Sequence, residues 1–250
     1  RLGMRLAAGL VASLFLLAQI YNLPVDSPQL WLLGAIGVAP LAYLFASRIV
    51  LLLTIATATA WVISEMIDRY PDSPEMEASL IVIGAFGVAV YAFGRLHTLK
   101  PQLHRFADVY AFAGLLLVLG LMYVFGFRAI WDEVVDSGVE AYAAPTPVYV
   151  FIGIAAVLVA AQRLLRARTV EADIETAAQA GLLVLAAVVG TWPAWSGYVL
   201  VFNAAYFGLA AALVAKGYLQ GDERYINFGL AVVAIGLVTR YIDLLWPMLD

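Results

Sequence analysis

Basic residues recur along this chain in strict alternation between apolar runs, and that arrangement limits what it can fold into more than any other feature. The runs are Met4 to Ile20, Leu30 to Ala46, Ile49 to Ile67, Ala78 to Leu96, Ala107 to Phe127, Pro147 to Ala161, Thr176 to Trp192, Tyr198 to Ala215 and Ile226 to Trp246. Each can cross a hydrocarbon core of ~30 Å as a helix, the sixth and seventh barely. Every second connection carries the cations: Arg1 and Arg5; Arg48; Arg95, Lys100 and Arg105; Arg163, Arg166 and Arg168; Lys216 and Arg224. The intervening connections hold only Arg69 and Arg128. Lys and Arg accumulate in cytoplasmic loops, so the basic side is the cytoplasmic one. The sequence therefore predicts an all-α, polytopic transmembrane helical bundle: a single transmembrane domain over residues 1–250, with nine spans and the amino terminus in the cytoplasm.

Two further distributions agree with that assignment. Trp31, Trp61, Trp131, Trp192, Trp195 and Trp246 all fall at the predicted outer boundary or in outer loops, as half of an aromatic belt would. Asp26, Glu65, Asp68, Asp72, Glu75, Glu77, Asp132, Glu133, Asp136 and Glu140 also lie outside, so the net charge of −4 describes neither surface. With 64% hydrophobic and 13% charged residues and a mean hydropathy of +0.92, the chain lacks the charged fraction of about a quarter that soluble domains carry. Membrane lipid is the expected surrounding and nucleic acid is not an expected partner. The absence of cysteine excludes disulfides, thiolate nucleophiles and Cys-ligated metals.

No small-residue cleavage site follows Leu17-Ala18-Gln19-Ile20-Tyr21, so the first run reads as a retained helix, not a signal peptide. The chain opens on Arg1 and stops at Asp250 just after a span, which reads as part of a longer protein with a tenth span beyond it. After the first span the rest form four hairpins, with turns near Ser47, Lys100, Arg168 and Gln220. Phe45-Ala46-Ser47-Arg48 is so short that its flanking helices must be antiparallel neighbours. Between Phe127 and Tyr142, Phe127, Ile130, Trp131, Val134, Val135, Val139 and Tyr142 recur at helical spacing, with Asp132, Glu133, Asp136 and Glu140 on the other face. That periodicity predicts an amphipathic helix on the outer membrane surface. Its acidic face suits a lid or a docking face for a basic partner better than attraction to anionic lipid.

Two separated motifs carry a family resemblance. Ala18-Gln19-Ile20-Tyr21-Asn22-Leu23-Pro24, then Leu30-Trp31-Leu32-Leu33, then Pro40-Leu41-Ala42-Tyr43-Leu44 ahead of Ser47-Arg48, resembles the opening of the predicted membrane proteins called domain-of-unknown-function family 2157. Asn227-Phe228-Gly229-Leu230 running into Thr239-Arg240-Tyr241-Ile242-Asp243-Leu244-Leu245-Trp246 is similar to that family's closing signature. The middle of the chain matches only in hydropathy. The resemblance implies a multi-pass protein of a prokaryotic cytoplasmic membrane, with a further helix after the second motif. It brings no established reaction or ligand.

The costliest residue to place is Arg240, inside the ninth span. An arginine there costs at least ~2.5 kcal/mol on insertion scales and usually faces protein or water. Asp243 follows at i+3, where a carboxylate can pair with the guanidinium. The structural alternative is that Arg240 snorkels to headgroups or that the pair pins its helix to neighbours. Asn203 falls at a matching depth on the eighth span, with Tyr206 at i+3 from it. Gln19, Tyr21 and Asn22 end the first span at the outer surface, and Ser64 and Glu65 end the third there. Convergence of these residues with Arg240, Tyr241 and Asp243 would line an outward-open polar pocket for an anionic or zwitterionic small molecule, a lipid headgroup or an acidic partner group.

Other chemistry is poorly represented. His97 and His104 share a predicted cytoplasmic loop, but no carboxylate joins them at ligand spacing. Asp68, Asp72, Glu75 and Glu77 lack the spacing of a Ca²⁺ loop. No H-E-x-x-H run or phosphate-binding glycine loop occurs, so no catalytic residue, metal or cofactor is assigned. The reading is binding of a small ligand or an extracytoplasmic partner at the outer face. A small-solute transporter is the first alternative, and a membrane enzyme acting on a lipid-linked substrate through outer carboxylates is the second.

Overall fold

The structure is a computed structural model that describes residues 6, 9, 12–13, 27–70, 80–131, 146–192 and 195–249, with side chains in the last helix described to 243. Among the described residues it is all helical. The long helices are α1 (Pro28–Leu44), α2 (Arg48–Arg69), α3 (Ile81–His97), α4 (His104–Phe125), α5 (Thr146–Leu165), α6 (Val170–Thr191), α7 (Tyr198–Gln220) and α8 (Glu223–Leu249), with a short helical stretch at 128–131. Six of them, α2 and α4 to α8, are long and apolar enough to cross a membrane, with α8 qualifying over Glu223–Asp243. The helices α1 and α3 are apolar but shorter. Most of the first apolar run, with Gln19 and the following Tyr21 and Asn22, lies outside the described residues, as does the predicted surface helix beyond Trp131.

Hydropathy alone misjudges α5 and α6. They run 20 and 22 residues, past the apolar stretches that made these spans look barely sufficient. The extension of α6 is local chemistry: the Thr169 hydroxyl accepts from Ala172 N at 3.1 Å, and Glu171 and Asp173 sit in the first turn, where the helix dipole favours anions.

The chain divides into two compact units. The first comprises Arg1–Val118 and Ala143–Gly190. In it α1 packs on α2 and α3 packs on α5. A tight turn joins α1 to α2, in which Ala46 N donates to Tyr43 O at 3.2 Å and Ser47 N to Ala42 O at 3.0 Å. This is the Schellman arrangement, which needs a left-handed residue, and Ala46 supplies it at φ 52°. Ser47 then caps α2 by accepting from Val50 N at 3.3 Å. The helices α3 and α4 meet through glycine: a Cβ on Gly114 would lie 2.5 Å from Gly87 O and from Tyr91 N, and one on Gly94 would lie 3.0 Å from Ala107 O. Glycines spaced for one helical face let the backbones touch, the usual device where apolar side chains alone do not drive helices together. Val38, Ala42, Val50, Leu51, Ile55, Val90, Phe106, Val109 and Ala113 form one core around these contacts.

Polar links bring the turns of this unit to one end. The Tyr43 hydroxyl, near the end of α1, bonds to His97 Nε2 at 2.9 Å and to the Tyr110 hydroxyl at 2.8 Å, so the α1–α2 and α3–α4 turns adjoin. Tyr91 on α3 donates to Glu175 near the start of α6, which brings the α5–α6 turn to the same end.

The second unit comprises Leu119–Tyr142 and Thr191–Asp250. Its frame is the α7–α8 hairpin. Gly221, at φ 67°, makes the same kind of turn as Ala46, with Asp222 N donating to Gly217 O at 2.9 Å. A Cβ on Gly229 would stand 2.9 Å from Ala210 O, and one on Gly236 would stand 2.6 Å from the Tyr206 ring, so the hairpin closes on small residues. Trp131, 1% exposed, packs against Phe125, Tyr198 and Phe202 with ring centroids 5.0 to 5.9 Å apart. It is a core residue of this unit and not part of an exposed aromatic belt.

Candidate functional site around Arg240

The last carbonyls of a helix have no partners within it and form its negative end. In α4 every carbonyl from Met122 to Gly126 is nevertheless satisfied, and the partners build the site. Gly126 N donates to Met122 O at 3.0 Å and Phe127 N to Val124 O at 3.1 Å. Trp131 Nε1 donates to Phe125 O at 2.7 Å. Arg240, on α8, donates from Nη2 to Tyr123 O at 2.5 Å. Asn203, on α7, donates from Nδ2 to Gly126 O at 2.9 Å and to Val199 O at 2.8 Å. Its other amide atom, Oδ1, accepts from Arg240 Nε at 2.7 Å, so Asn203 and Arg240 together close the end of α4.

Aromatic faces complete the setting. The guanidinium carbon lies 3.8 Å from the Phe127 ring centroid and 5.4 Å from that of Tyr123, within the range of cation–π attraction. Gly126 makes room for this: a Cβ there would run into Arg240 Nη2 and stand 2.9 Å from Asn203 Oδ1. Arg240 Nη1 is buried and has no hydrogen-bond partner among the described residues. Among the described residues no carboxylate forms a direct ion pair with this guanidinium. Asp243 lies one turn on and is partly buried.

Of the residues that sequence reasoning grouped, the structure brings Arg240 and Asn203 into hydrogen-bonding contact. Tyr206 lies one turn beyond Asn203 with its ring 6.0 Å from that of Tyr123, but its hydroxyl is committed to Val232 O at 2.8 Å. Tyr241 is 65% exposed, so it does not share the Arg240 setting. Glu65 belongs to the first unit, where Arg69 Nε donates to it at 2.5 Å across one turn of α2. Gln19, Tyr21 and Asn22 lie outside the described residues. The residues missed were Tyr123, Gly126 and Phe127, whose carbonyls, rings and missing side chain create the seat. The only sequence signal was a Gly flanked by aromatics at the end of an apolar run.

The two histidines are not a pair. His97 is the last residue of α3 and is 5% exposed, with Nδ1 on Phe93 O at 2.9 Å, whereas His104 is exposed at the start of α4. The neighbours of His97 are the Tyr43, Phe93 and Tyr110 rings. Among the described residues no group of His and acidic side chains is placed to hold a metal ion. A second polar cluster went unforeseen because its cations counted only as loop charge: Arg166 Nη1 meets Glu175 Oε2 at 2.6 Å, Arg95 Nε approaches Oε1 at 3.0 Å, and Tyr91 donates to Oε1.

Comparison with protein-family models, curated proteins and solved structures finds no match to this chain.

Proposed function

We propose that this chain is a multi-pass protein of a cytoplasmic membrane that binds an anionic group at Arg240, carried by a small ligand or by an extracytoplasmic partner. One observation carries the reading: a guanidinium held rigidly by Asn203 and Tyr123 O keeps the buried Nη1 unpartnered and has no direct carboxylate among the described residues. Two hydrogen bonds and two rings orient it before any ligand arrives, which lowers the ordering cost of binding. A carboxylate or phosphate oxygen at Nη1 would complete its charge balance.

Nine spans, a cytoplasmic amino terminus and an outward-facing Arg240 belong to the same proposal. Its support is the alternation of basic residues, together with the gathering of the turns that hold Arg48, Lys100 and Arg168 at one end of the first unit. Membership of domain-of-unknown-function family 2157, in a prokaryote, rests on the two motifs alone. Transport of a small solute is the second reading, favoured by the Glu175 cluster within a membrane-length helix. The enzyme reading is weaker because the Glu65 carboxylate is committed to Arg69.

The test is a titration of the purified chain in neutral detergent with phosphate, acetate and glutamate, followed by tryptophan emission, since Trp131 adjoins the same helix end. The wild-type chain should respond saturably to at least one anion. Arg240→Lys should weaken that response and Arg240→Met should abolish it while helix content by circular dichroism is unchanged. An Arg240→Met chain that responds like the wild type, or a wild-type chain silent to every anion, refutes the proposal.

A further inference from the structure

The hairpin of α5 and α6 hides a second polar site. Three links set how the two helices face each other: Arg166 to Glu175 at 2.6 Å, Arg163 to Asp173, and the Tyr149 hydroxyl to Gly190 O at 3.3 Å. Gln162 stands one turn before Arg166 on α5, and Gln179 stands one turn after Glu175 on α6. Residues four apart share a helix face, so each glutamine lies one turn inward on the face of its helix that carries the ion pair. Both are enclosed, at 1% and 5% exposure, and the Nε2 and Oε1 of each have no hydrogen-bond partner among the described residues. Buried amides are almost always paired, because they forfeit in the interior the bonds they had with water.

The charged groups of the adjoining cluster are committed to one another. Glu175 spends Oε1 on Tyr91 and Arg95 and Oε2 on Arg166. A cation would face the two guanidinium groups, and an anion would compete with Glu175 for them. The unmet groups are two donors and two acceptors without formal charge.

We propose that α5 and α6 enclose a binding site, between Gln162 and Gln179, for a small neutral molecule that both donates and accepts hydrogen bonds. Such chemistry has two sources, a cluster of ordered water molecules or a small amide-like solute. The site is separate from Arg240 and does not depend on the anion reading.

Replacing both residues by methionine, of similar length and volume, gives a test by sign. An empty site makes the amides a burden, so Gln162→Met/Gln179→Met would then melt at the same or a higher temperature than the wild type. An occupied site makes them anchors, and the double variant should melt lower. A map of the full chain in lipid nanodiscs, at a resolution that shows water, gives an independent readout. Density within hydrogen-bonding reach of both amides is expected, whereas amides bonded directly to each other or to backbone with nothing between them would overturn the proposal. Acetamide then separates the sources: a saturable rise in the wild-type melting midpoint, absent in the double variant, assigns a solute, and a flat response with density present assigns water.

Discussion

Replacing Gly126 with alanine tests the geometry on which the Arg240 site depends, because the backbone and the surroundings of this glycine predict opposite signs. Gly126 is not among the residues at positive φ, so alanine is conformationally permitted there. Loss of unfolded-state freedom alone would make Gly126→Ala stabilising by ~0.4–1 kcal/mol. Against this, the new Cβ would collide with Arg240 Nη2 and stand 2.9 Å from Asn203 Oδ1 and 3.0 Å from Arg240 Cζ. A free arginine would swing aside at little cost. This one is held by Asn203 and Tyr123 O, and a hydrogen bond to a charged group contributes about 1.5–3 kcal/mol. With overpacking at about 1–3 kcal/mol and the entropic gain subtracted, the net expectation is a destabilisation of about 1–2 kcal/mol. Unfolding by SDS in mixed micelles measures it, read by helix circular dichroism and by the emission of Trp131, bonded to Phe125 O in the same helix end, in a background whose other five tryptophans are replaced by phenylalanine. In an Arg240→Met background the contacts with the guanidinium disappear and only the one with Asn203 Oδ1 is left, so the alanine should cost clearly less than in the wild-type chain. Equal effects of Gly126→Ala in both backgrounds, or a neutral effect in the wild-type chain, would refute the placement of the guanidinium over Gly126.

The turn between α1 and α2 offers a gain in stability. Ala46 occupies the left-handed position at φ 52° that Gly221 fills in the equivalent turn; relief of roughly 1 kcal/mol of backbone strain, less the entropy cost of glycine, should leave Ala46→Gly about 0.5 kcal/mol more stable, read as a melting midpoint higher by ~1–2 °C. Glu175→Gln should act oppositely, because it leaves the Arg95 and Arg166 guanidinium groups facing one another without their shared carboxylate. A fully buried pair broken in this way loses about 3–5 kcal/mol, and partial exposure here lowers the expectation to about 2 kcal/mol. Equilibrium unfolding should show part of that cost recovered when Arg166→Met is added, and strict additivity of the two changes would disprove the ion-paired arrangement.

The sequence by itself determined the helices and the points where they stop. Each of the eight long helices lies on an apolar run, and the breaks expected near Ser47, Lys100, Arg168 and Gln220 coincide with helix ends or turns of the structure, because a helix satisfies its backbone locally and its caps are near neighbours. Even there, apolar length underestimated α5 and α6, since capping by Thr169 and the pairing of Glu175 carry polar residues into helix. The expectation that Arg240 would pair with Asp243 followed from the same local logic, because i+3 and i+4 are the neighbours a helical pattern supplies, and matched depth added Asn203 on the preceding span. The structure bonds Arg240 to Asn203, 37 residues away, and adds Tyr123 O, 117 away, which the sequence did not indicate, just as it joins Tyr91 to Glu175 across 84 residues. Those partners depend on which helices touch and at what height. The glycine contacts that bring helices together have no hydropathy signal, so only the packed structure decides where a buried charge finds its partner.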